Sequence, residues 1–302
     1  MARPFIKWAG GKRQLMDHII SNLPTTFGKG EFRKYAEPFV GGGAVMFKLF
    51  ELKRIDEAII IDYNSDLILT YEVIKNDIEM AIEKLTSLQN DYDAFNYEQR
   101  KEQFFKIRTK FNSNIHDDKS YFTREEKAIH ASRFIFLNKV GFNGLYRVNS
   151  NGEFNVPPSD LKKKVIFEDS NLRAASQVLE KVEIYQGDFS ECEDKIDNNT
   201  FVYFDPPYKP ITKTSFTAYA NSNFNDVQQK RLADFCVVLT KNGVKIMTSN
   251  SNPKQNDDSC TFFDDIYDGK DGFSITPVQA IRSINSKGSG RGKVSELIIT
   301  NY

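Results

Sequence analysis

The chain is poor in cysteine, histidine and tryptophan: its 302 residues include three cysteines, three histidines and one tryptophan. Cys192, Cys236 and Cys260 form no C-x-x-C pair, which argues against a disulfide framework and against a zinc ribbon. No apolar run approaches the ~18–20 residues of a membrane-spanning helix. The first residues also lack the long apolar stretch of a signal peptide. These absences predict a protein of the reducing cytoplasm.

The net charge of the chain is zero, since 41 basic residues balance 41 acidic ones. A balanced charge argues against a nucleic-acid partner, but the charges are unevenly distributed along the chain. Basic residues are in excess by 6 in residues 1–54, by 4 in residues 130–164 and by 3 in residues 275–302, and the intervening segments are acidic. If the fold brought these three blocks together, one face could bind phosphate. Chance clustering on solvated surfaces explains the pattern equally well.

Short apolar runs alternate with helix-compatible stretches, which is typical of an α/β protein. Strands are predicted at residues 35–40, 58–61, 165–167, 182–185, 201–204, 244–248 and 297–300, and a helix at 44–52. From residue 67 to about residue 110 the pattern is long, charged and helical. One apolar stripe recurs there at helical spacing, at Ile74, Ile78, Ile82, Leu85 and Leu88. Because this block interrupts the alternation, we interpret it as an insertion.

A glycine-rich turn follows the first predicted strand and precedes the helix at residues 44–52. Consecutive glycines from Gly41 to Gly43 would let a cofactor approach the backbone without a side-chain clash. Asp62 lies 21 residues after Gly41, where an acid can accept hydrogen bonds from ribose hydroxyls. The pattern indicates a nucleoside-type cofactor, although a purely structural turn would also explain the glycines. Asp188, in a Gly-Asp turn after residues 182–185, could accept from the amine of an adenine.

The sharpest pattern is the predicted strand at residues 201–204 followed by Asp205-Pro206-Pro207-Tyr208. Open α/β sheets place ligands at the carboxyl ends of their strands, where Asp205 emerges. The two prolines have no N–H donor, so the Asp205 carboxylate and the Pro206 carbonyl remain acceptors without a competing neighbour. Tyr208 offers a flat ring. Two acceptors and a stacking face would bind a planar aromatic amine. The alternative is that Asp205-Pro206-Pro207 is only an ordinary turn that ends a strand.

Four motifs, at residues 7–12, 37–43, 187–189 and 205–208, together resemble the Dam-like family of DNA adenine methyltransferases, in particular DpnII-type enzymes that modify GATC. The resemblance implies a Rossmann-like methyltransferase sheet that uses S-adenosylmethionine (AdoMet) and flips the target adenine out of the duplex. It also implies an inserted, mostly helical DNA-recognition domain that carries a β-hairpin. The implied cofactor contacts are Trp8, Ala9, Gly10, Lys12, Glu37, Pro38, Phe39, Gly41, Gly43, Asp62, Asp188, Phe189 and Asp205. The implied catalytic residues are Asp205, Pro206, Pro207 and Tyr208.

Residues 138–158 carry two turn patterns that flank a short ribbon with Arg147 at its centre. A two-stranded ribbon fits the major groove, and arginine is the usual bidentate partner of guanine. An exposed arginine on a hairpin is common in any protein, but the segment also resembles the recognition hairpin of the family. That resemblance implies that Arg147 and Lys7 read guanines and that Leu145 and Pro157 contact thymine. The remaining implied DNA contacts are Phe142, Asn143, Asn149 and Asn155.

The implied reaction is direct methyl transfer to the adenine amine, for which we expect neither a metal nor a covalent enzyme intermediate. The expected partners are double-stranded DNA and, in a restriction-modification system, a cognate endonuclease. Alternatives are an adenine methyltransferase with another target sequence and a catalytically silent DNA-binding protein with the same fold. The expected domains are a catalytic part at residues 1–67 and 165–302 and a recognition domain at residues 68–164. A basic, glycine-containing loop at residues 282–293 is expected to cover the cofactor or the DNA backbone.

Overall fold

The computed structural model describes residues 1–12, 14–211, 224–267, 272–281 and 293–302, and it shows an α/β fold. Its strands form one sheet in the order β3-β2-β1-β4-β5-β7-β6. The strands are β1 (Lys34–Glu37), β2 (Glu57–Asp62), β3 (Val182–Gln186), β4 (Thr200–Phe204), β5 (Lys245–Ser251), β6 (Ser274–Ile281) and β7 (Lys293–Thr300). The predicted basic loop at residues 282–293 lies outside the described residues, except for Lys293, which begins β7.

The centre of the sheet is parallel. β1 pairs in parallel with β2 and β4, and β4 pairs in parallel with β5. Every residue of β4 is buried, as expected for a continuous apolar strand that is covered on both faces. β7 instead runs antiparallel to both of its neighbours, β5 and β6. The mostly parallel seven-stranded sheet confirms the prediction of a Rossmann-like α/β fold.

Helices supply most of the chain between β2 and β3. The described helices are α1 (Met16–Ser21), α2 (Ala44–Glu51), α3 (Ser65–Asn76), α4 (Ile78–Ala94), α5 (Tyr97–Asn112), α6 (Arg124–Val140), α7 (Asp169–Leu179), α8 (Asp226–Lys241) and α9 (Phe262–Tyr267). Side-chain capping defines several of their starts. Asn96 and Thr123 each form a capping box at the beginning of α5 and α6, respectively.

The predicted apolar stripe of the helical block is divided between two helices. α3 ends at Asn76 and α4 begins at Ile78, with Asp77 in a non-helical conformation between them. Ile74 and Leu85 are fully buried, whereas the other three members of the stripe are only partly covered. The prediction of a single continuous stripe was therefore wrong. The helical spacing of apolar residues continues across the one-residue break at Asp77, so the spacing alone does not show that one helix ends there and another begins.

Two predicted strands differ from those in the structure. Residues 165–167 form no strand, because the Ile166 N–H donates to the Gln89 side chain (2.7 Å) and Val165 is exposed. The first strand ends at Glu37 rather than at residue 40, since Pro38 lacks an N–H and the glycine turn follows. β6 was not predicted at all. The other predicted strands and α2 are present, and each of their ends lies within four residues of the predicted end.

The described residues divide into two compact units. The first unit contains residues 1–11, 41–52 and 61–187, and the second contains residues 12–40, 53–60 and 188–302. The functional domain boundaries expected at residues 67/68 and 164/165 remain a prediction. Among the described helices, none combines the length and the apolar character needed to cross a membrane.

Candidate active site

Asp205 leaves the end of β4 in the second unit, and two donors converge on one of its oxygens. Lys12 Nζ lies 2.6 Å from Oδ1, and Ser249 Oγ donates to the same oxygen at 3.0 Å. Burial raises the pKa of Asp205, while the Lys12 ammonium and the Ser249 hydroxyl oppose that increase. The two donors therefore favour an ionised carboxylate at a position where burial alone would favour the neutral acid.

The residues after Asp205 form a short, ordered loop. Pro206 is buried, and no donor within the described ranges bonds to its carbonyl oxygen. The Pro207 carbonyl accepts a hydrogen bond of 2.8 Å from Gln229 Nε2. Tyr208 Oη donates to Glu296 Oε2 on β7 at 2.9 Å, which fixes the direction of its ring. The loop thus has the two acceptors and the aromatic face predicted from the sequence.

Lys12 connects two of the predicted site residues. Besides its ion pair with Asp205, its ammonium lies 4.4 Å from the centroid of the Tyr208 ring. The Lys12 side chain is only 6% exposed, so the cation depends on these partners for the solvation that it loses on burial. The resemblance had assigned Lys12 to the cofactor. The structure places its charge on the predicted catalytic carboxylate.

An aromatic pair and an acid occupy a second part of the same unit. The rings of Phe39 and Phe189 stack with centroids 5.5 Å apart. Asp188 caps the short 3-10 turn after β3, and its Oδ2 pairs with Arg231 at 3.0 Å. Burial tends to raise the pKa of Asp188, but Arg231 and Ser190 outweigh it and lower the pKa to about 2. Glu37 is buried and accepts a 3.0 Å hydrogen bond from Tyr35 Oη, and Pro38 beside it is also buried.

In the first unit, Asp62 and Gly41 meet through a backbone hydrogen bond. The Gly41 N–H donates to Asp62 Oδ2 at 3.0 Å, and the Asn64 N–H donates to Oδ1 at 3.0 Å. Burial raises the pKa of Asp62, and these backbone donors oppose the increase. The glycine turn and the acid at the end of β2 are thus in direct contact, and the predicted role of Asp62 toward ribose hydroxyls stays a prediction.

Trp8 covers the glycine turn. Gly41 has a φ of +47°, and a Cβ at that position would lie 2.5 Å from Trp8 Cδ1. Only glycine meets both the conformational and the steric requirement. Gly43 also has a positive φ, of +67°, and it is the N-cap residue immediately before α2. Ala9 and Gly10, which follow Trp8, are exposed. The motifs at residues 7–12 and 37–43 are therefore in contact through Trp8 and Gly41.

The predicted DNA-reading segment, residues 138–158, forms a compact loop after α6, and its β-pairing is shorter than predicted. Only two isolated antiparallel bridges occur, Gly141 with Pro158 and Val148 with Phe154. The turns at residues 142–144 and 149–152 are present, and Asn143 has a positive φ of 56°. The two arms are still joined by backbone hydrogen bonds, from the Asn155 N–H to the Arg147 carbonyl at 3.0 Å and from the Asn149 N–H to the Glu153 carbonyl at 2.9 Å. Four predicted contacts are exposed, namely Phe142, Asn143, Arg147 and Pro157.

Arg147 and two asparagines implied to contact DNA, Asn149 and Asn155, have partners inside this loop. Arg147 Nε donates to Asn155 Oδ1 at 2.7 Å. Asn149 Nδ2 donates to Glu153 Oε2 at 2.8 Å, and its own Oδ1 accepts the Glu153 N–H. These contacts pre-form the loop. Leu145 is half-buried.

Asn138 attaches Lys7 to the same loop. Its amide bonds the backbone N–H and carbonyl of Lys7, each at 2.8 Å, and also donates to the Gly144 carbonyl at 3.0 Å. The Lys7 side chain passes so close to Gly144 that a Cβ there would meet Lys7 Cδ at 2.4 Å. The structure therefore brings Lys7 to the turn that precedes Arg147, as expected if both contact one DNA site.

A family model described as D12 class N6 adenine-specific DNA methyltransferase matches residues 8–284. The chain belongs to this family. The prediction of an adenine-specific DNA methyltransferase is thereby confirmed, and DNA is the substrate on which the enzyme acts.

Three relatives are similar over nearly their whole length. The methyltransferase is 46% identical over 302 residues to the type II methyltransferase M.MjaIII of Methanocaldococcus jannaschii, covering 99% of both chains. It is 38% identical over 303 residues to the type II methyltransferase M1.LlaDCHI of Lactococcus lactis subsp. cremoris, covering 99% of this chain and 95% of the relative. It is 31% identical over 301 residues to a DNA adenine methylase of Salmonella typhi, covering 98% and 94%.

Several side chains around the methyltransferase site were not found from the sequence. Ser249 belongs to a polar stretch at the carboxyl end of a predicted strand, and that position could have identified it. Arg231 and Tyr146 had no such pattern. Across the described residues, no group of three or more His, Cys, Asp or Glu side chains is arranged to hold a metal ion. The expectation of metal-free chemistry stays a prediction.

Proposed function

We propose that this methyltransferase transfers a methyl group from AdoMet to the N6 amine of adenine in GATC within double-stranded DNA. The observation that carries the proposal is the pair of acceptors at the end of β4. Lys12 and Ser249 favour the ionised form of the Asp205 carboxylate, and the neighbouring Pro206 carbonyl is an acceptor next to it. An aromatic amine has two hydrogens to offer, and this pair can accept both.

The residues of each unit fit AdoMet by their chemistry. In the first unit, the half-buried Asp62 carboxylate beside the Gly41 backbone suits ribose hydroxyls, and Trp8 lies over that turn. In the second unit, Asp188 suits an adenine amine, and the Phe39–Phe189 pair suits its ring. When bound, AdoMet supplies an electrophilic methyl group on a sulfonium, and S-adenosylhomocysteine remains after transfer. The other proposed cofactor contacts are those implied by the resemblance.

The protein groups act on the flipped adenine by position and charge. Asp205 and Pro206 accept the two amine hydrogens, which favours a pyramidal nitrogen whose lone pair points outward. The Asp205 carboxylate also stabilises the positive charge that develops on this nitrogen. Tyr208 stacks on the base, and the N–H-free prolines keep competing donors away. No protein nucleophile is needed for this reaction.

The proposed GATC specificity rests on the loop at residues 141–158. Arg147 is exposed, and its guanidinium is held by Asn155, so it is oriented before DNA arrives. A pre-oriented guanidinium suits bidentate bonding to guanine O6 and N7. Lys7, attached to the same loop by Asn138, would contact the other guanine. Leu145 and Pro157 would contact the thymine, and the exposed Phe142 would occupy the space beside the displaced base.

A restriction partner is a further part of the proposal. Two of the relatives are named type II methyltransferases, and type II systems pair a methyltransferase with an endonuclease of the same specificity. The alternative is a solitary enzyme that has no cognate endonuclease. Assay of an extract of the source cells for an endonuclease that cuts unmethylated GATC but not DNA methylated by this enzyme separates the two, since a solitary enzyme has no such counterpart.

The decisive experiment uses tritiated AdoMet and plasmid DNA that lacks adenine methylation. We expect label in N6-methyladenine and acquired resistance to a GATC endonuclease that methylation blocks. Label without that resistance would indicate another target sequence. Specific DNA binding without label would indicate a catalytically silent protein and would contradict the proposal. Replacing AdoMet by S-adenosylhomocysteine is the control for the methyl donor.

A further inference from the structure

The register of β4 and β5 places three hydroxyl- or carboxyl-bearing side chains on one face of the sheet. Phe204 aligns with Thr248 in the parallel pair, so the next residues, Asp205 and Ser249, are neighbours. Tyr203 precedes Asp205 by two residues and therefore points to the same side of its strand. Ser249 lies on a strand that is paired on both sides, with β4 and with β7. Its position is thus fixed by the backbone of two neighbours.

The direction of the hydrogen bonds among Tyr203, Ser249 and Asp205 follows from the number of protons that each side chain can donate. Ser249 Oγ donates to Asp205 Oδ1 at 3.0 Å and lies 2.8 Å from Tyr203 Oη. A hydroxyl has one proton, so a serine that donates to the carboxylate must accept from the tyrosine. Burial raises the pKa of Tyr203 well above its ordinary value, which keeps the phenol protonated. The chain of donors therefore runs from Tyr203 to Ser249 to Asp205.

Both known donors to Asp205 use the same oxygen. Lys12 and Ser249 contact Oδ1, and in the part of the chain that the structure describes no hydrogen bond or ion pair reaches Oδ2. Ser249 and Tyr203 are completely buried, whereas 19% of the Asp205 side chain is exposed. One oxygen is therefore anchored from inside the protein, and the other is left to accept from a ligand.

We propose that Ser249, supported by Tyr203, is a positioning residue that anchors Oδ1 of Asp205 and thereby aims Oδ2 at the adenine amine. The inference rests on the proposed role of Asp205 as the acceptor of that amine. Lys12 neutralises charge on Oδ1 but has a long, flexible side chain. Ser249 is short and lies on a central strand, so it restricts the rotation of the carboxylate. Tyr203 fixes the serine rotamer in turn.

The titratable and charged groups around Asp205 come from several elements. They are Lys12 in the N-terminal segment, Tyr35 and Glu37 on β1, Tyr203 on β4, Tyr208 in the following loop and Glu296 on β7. Burial raises the pKa values of Tyr35, Tyr203 and Tyr208 well above 10, so these phenols stay neutral in a neutral-pH assay. Loss of the Ser249 donor would raise the pKa of Asp205 further. The acid limb of the rate profile would then move to higher pH.

The test compares Ser249→Ala, Ser249→Thr and Tyr203→Phe in single-turnover methylation with saturating AdoMet and DNA. We expect Ser249→Ala to lower the rate by about 10- to 100-fold, the range for a lost hydrogen bond to a charged group. The acid limb of the pH–rate profile of Ser249→Ala should move to higher pH, while its DNA affinity changes by less than about threefold. Ser249→Thr restores a hydroxyl and should recover most of the rate. Tyr203→Phe should also lower the rate and move the acid limb to higher pH, but by less than Ser249→Ala does.

Thr248→Val is the matched control, because it removes a buried hydroxyl from the neighbouring residue of β5, which faces the other side of the strand. It should retain the wild-type rate and acid limb, so a general loss of sheet packing is recognised separately. Asp205→Ala is assayed in parallel. If Asp205→Ala retains methylation, the proposed function of Asp205 fails. If Asp205→Ala is inactive but Ser249→Ala keeps the wild-type rate and limb, the positioning role fails alone.

Discussion

Among single residues, we propose that Asp205 and Arg147 bear the two separate tasks of this methyltransferase, chemistry and reading of the sequence. Each is held by an uncharged partner that leaves part of its polar group available. Ser249 bonds one carboxylate oxygen of Asp205, and Asn155 accepts from two nitrogens of the Arg147 guanidinium, at 2.7 Å from Nε and at 3.4 Å from Nη2. Such partners reduce the number of orientations that must be given up when the substrate binds.

Asp205→Ala should reduce methylation by at least ~100-fold, because it removes the acceptor next to a developing positive charge. DNA binding should survive, since the DNA-reading loop belongs to other residues. Single-turnover assays measure the rate, and a gel-shift titration measures the affinity. Asp205→Asn retains the size of the side chain and serves as the comparison. A turnover near that of the wild type would show that Asp205 has no role in the transfer.

Arg147→Ala should weaken discrimination at one guanine by about 1–3 kcal/mol, as expected for a bidentate base contact. The substitution should relax sequence choice more than it lowers overall affinity for DNA. The measurement is the ratio of kcat/KM for GATC and for sites with one altered base. An equal loss of rate on cognate and altered sites would identify Arg147 as a phosphate contact instead.

At the scale of elements, two features in the first unit organise its functional segments: the glycine turn before α2 and the buried contacts of Tyr146. Trp8 packs on the turn, and Tyr146 stacks on Trp8 with ring centroids 5.6 Å apart. Tyr146 Oη also donates to Asp66 Oδ2 at 3.0 Å, and His130 Nε2 lies 2.8 Å from Asp66 Oδ1. The tyrosine thus attaches the predicted DNA-reading loop to α3, and Asp66 in turn connects α3 to α6 through His130.

Gly41→Ala should weaken AdoMet binding by about 1–3 kcal/mol, because alanine is strained at this positive φ and would displace Trp8. Calorimetry measures the affinity. Emission from Trp8, the one tryptophan of the chain, reports the same event when excited at its red edge. Gly42→Ala is a matched control, since a Cβ there meets its nearest atom at 3.4 Å and needs no positive φ.

In the wild type, AdoMet should change the Trp8 emission. An unchanged spectrum, with binding confirmed by calorimetry, would place Trp8 away from the cofactor. Equal AdoMet affinities for Gly41→Ala and Gly42→Ala would contradict the proposed role of the turn.

Tyr146→Phe should lower the free energy of unfolding by about 1–3 kcal/mol, because it removes a donor from the buried Asp66 carboxylate. The stack on Trp8 would remain. Urea denaturation measures the change, and Tyr121→Phe is the control, since Tyr121 is 85% exposed. Equal stabilities of the two variants would mean that the Tyr146 hydroxyl contributes nothing.

The sequence predicted those elements whose pattern reflects their burial. β4 is a continuous apolar run that ends in a distinctive motif, and both properties can be recognised without the fold. β6 escaped prediction because it contains Pro277 and pairs with a single neighbour, β7, so it lacks the apolar run of a central strand. The contacts of Ser249, Tyr146 and Arg231 depend on register and on distant segments, which no local pattern encodes.

At the scale of the whole molecule, zero net charge coexists with a DNA substrate because the charges are segregated along the chain. The basic blocks contain the first motif and the DNA-reading segment. Acidic residues are concentrated elsewhere, in the helical segment after residue 55 and in residues 165–274. Binding to DNA depends on the local charge at the contact rather than on the total.

DNA affinity should therefore fall steeply with salt despite the zero net charge, by a slope of about −0.9 for each phosphate neutralised. Fluorescence anisotropy of a labelled duplex, titrated at several salt concentrations, measures this slope. Replacing one basic residue of residues 130–164 that contacts phosphate should reduce the slope by about 1. A salt-independent affinity would contradict an electrostatic contact with the backbone.

The position of β7 has a consequence for biosynthesis. β7 is the last strand along the chain, yet it lies between β5 and β6 rather than at the edge of the sheet. While a ribosome synthesises the protein, β5 cannot complete its hydrogen bonding until residue 300 has emerged. A product interrupted before residue 293 would lack an inner strand, and would expose the unpaired backbone of both β5 and β6. Such edges template association with other chains, so premature termination would yield an aggregating polypeptide rather than a shortened enzyme.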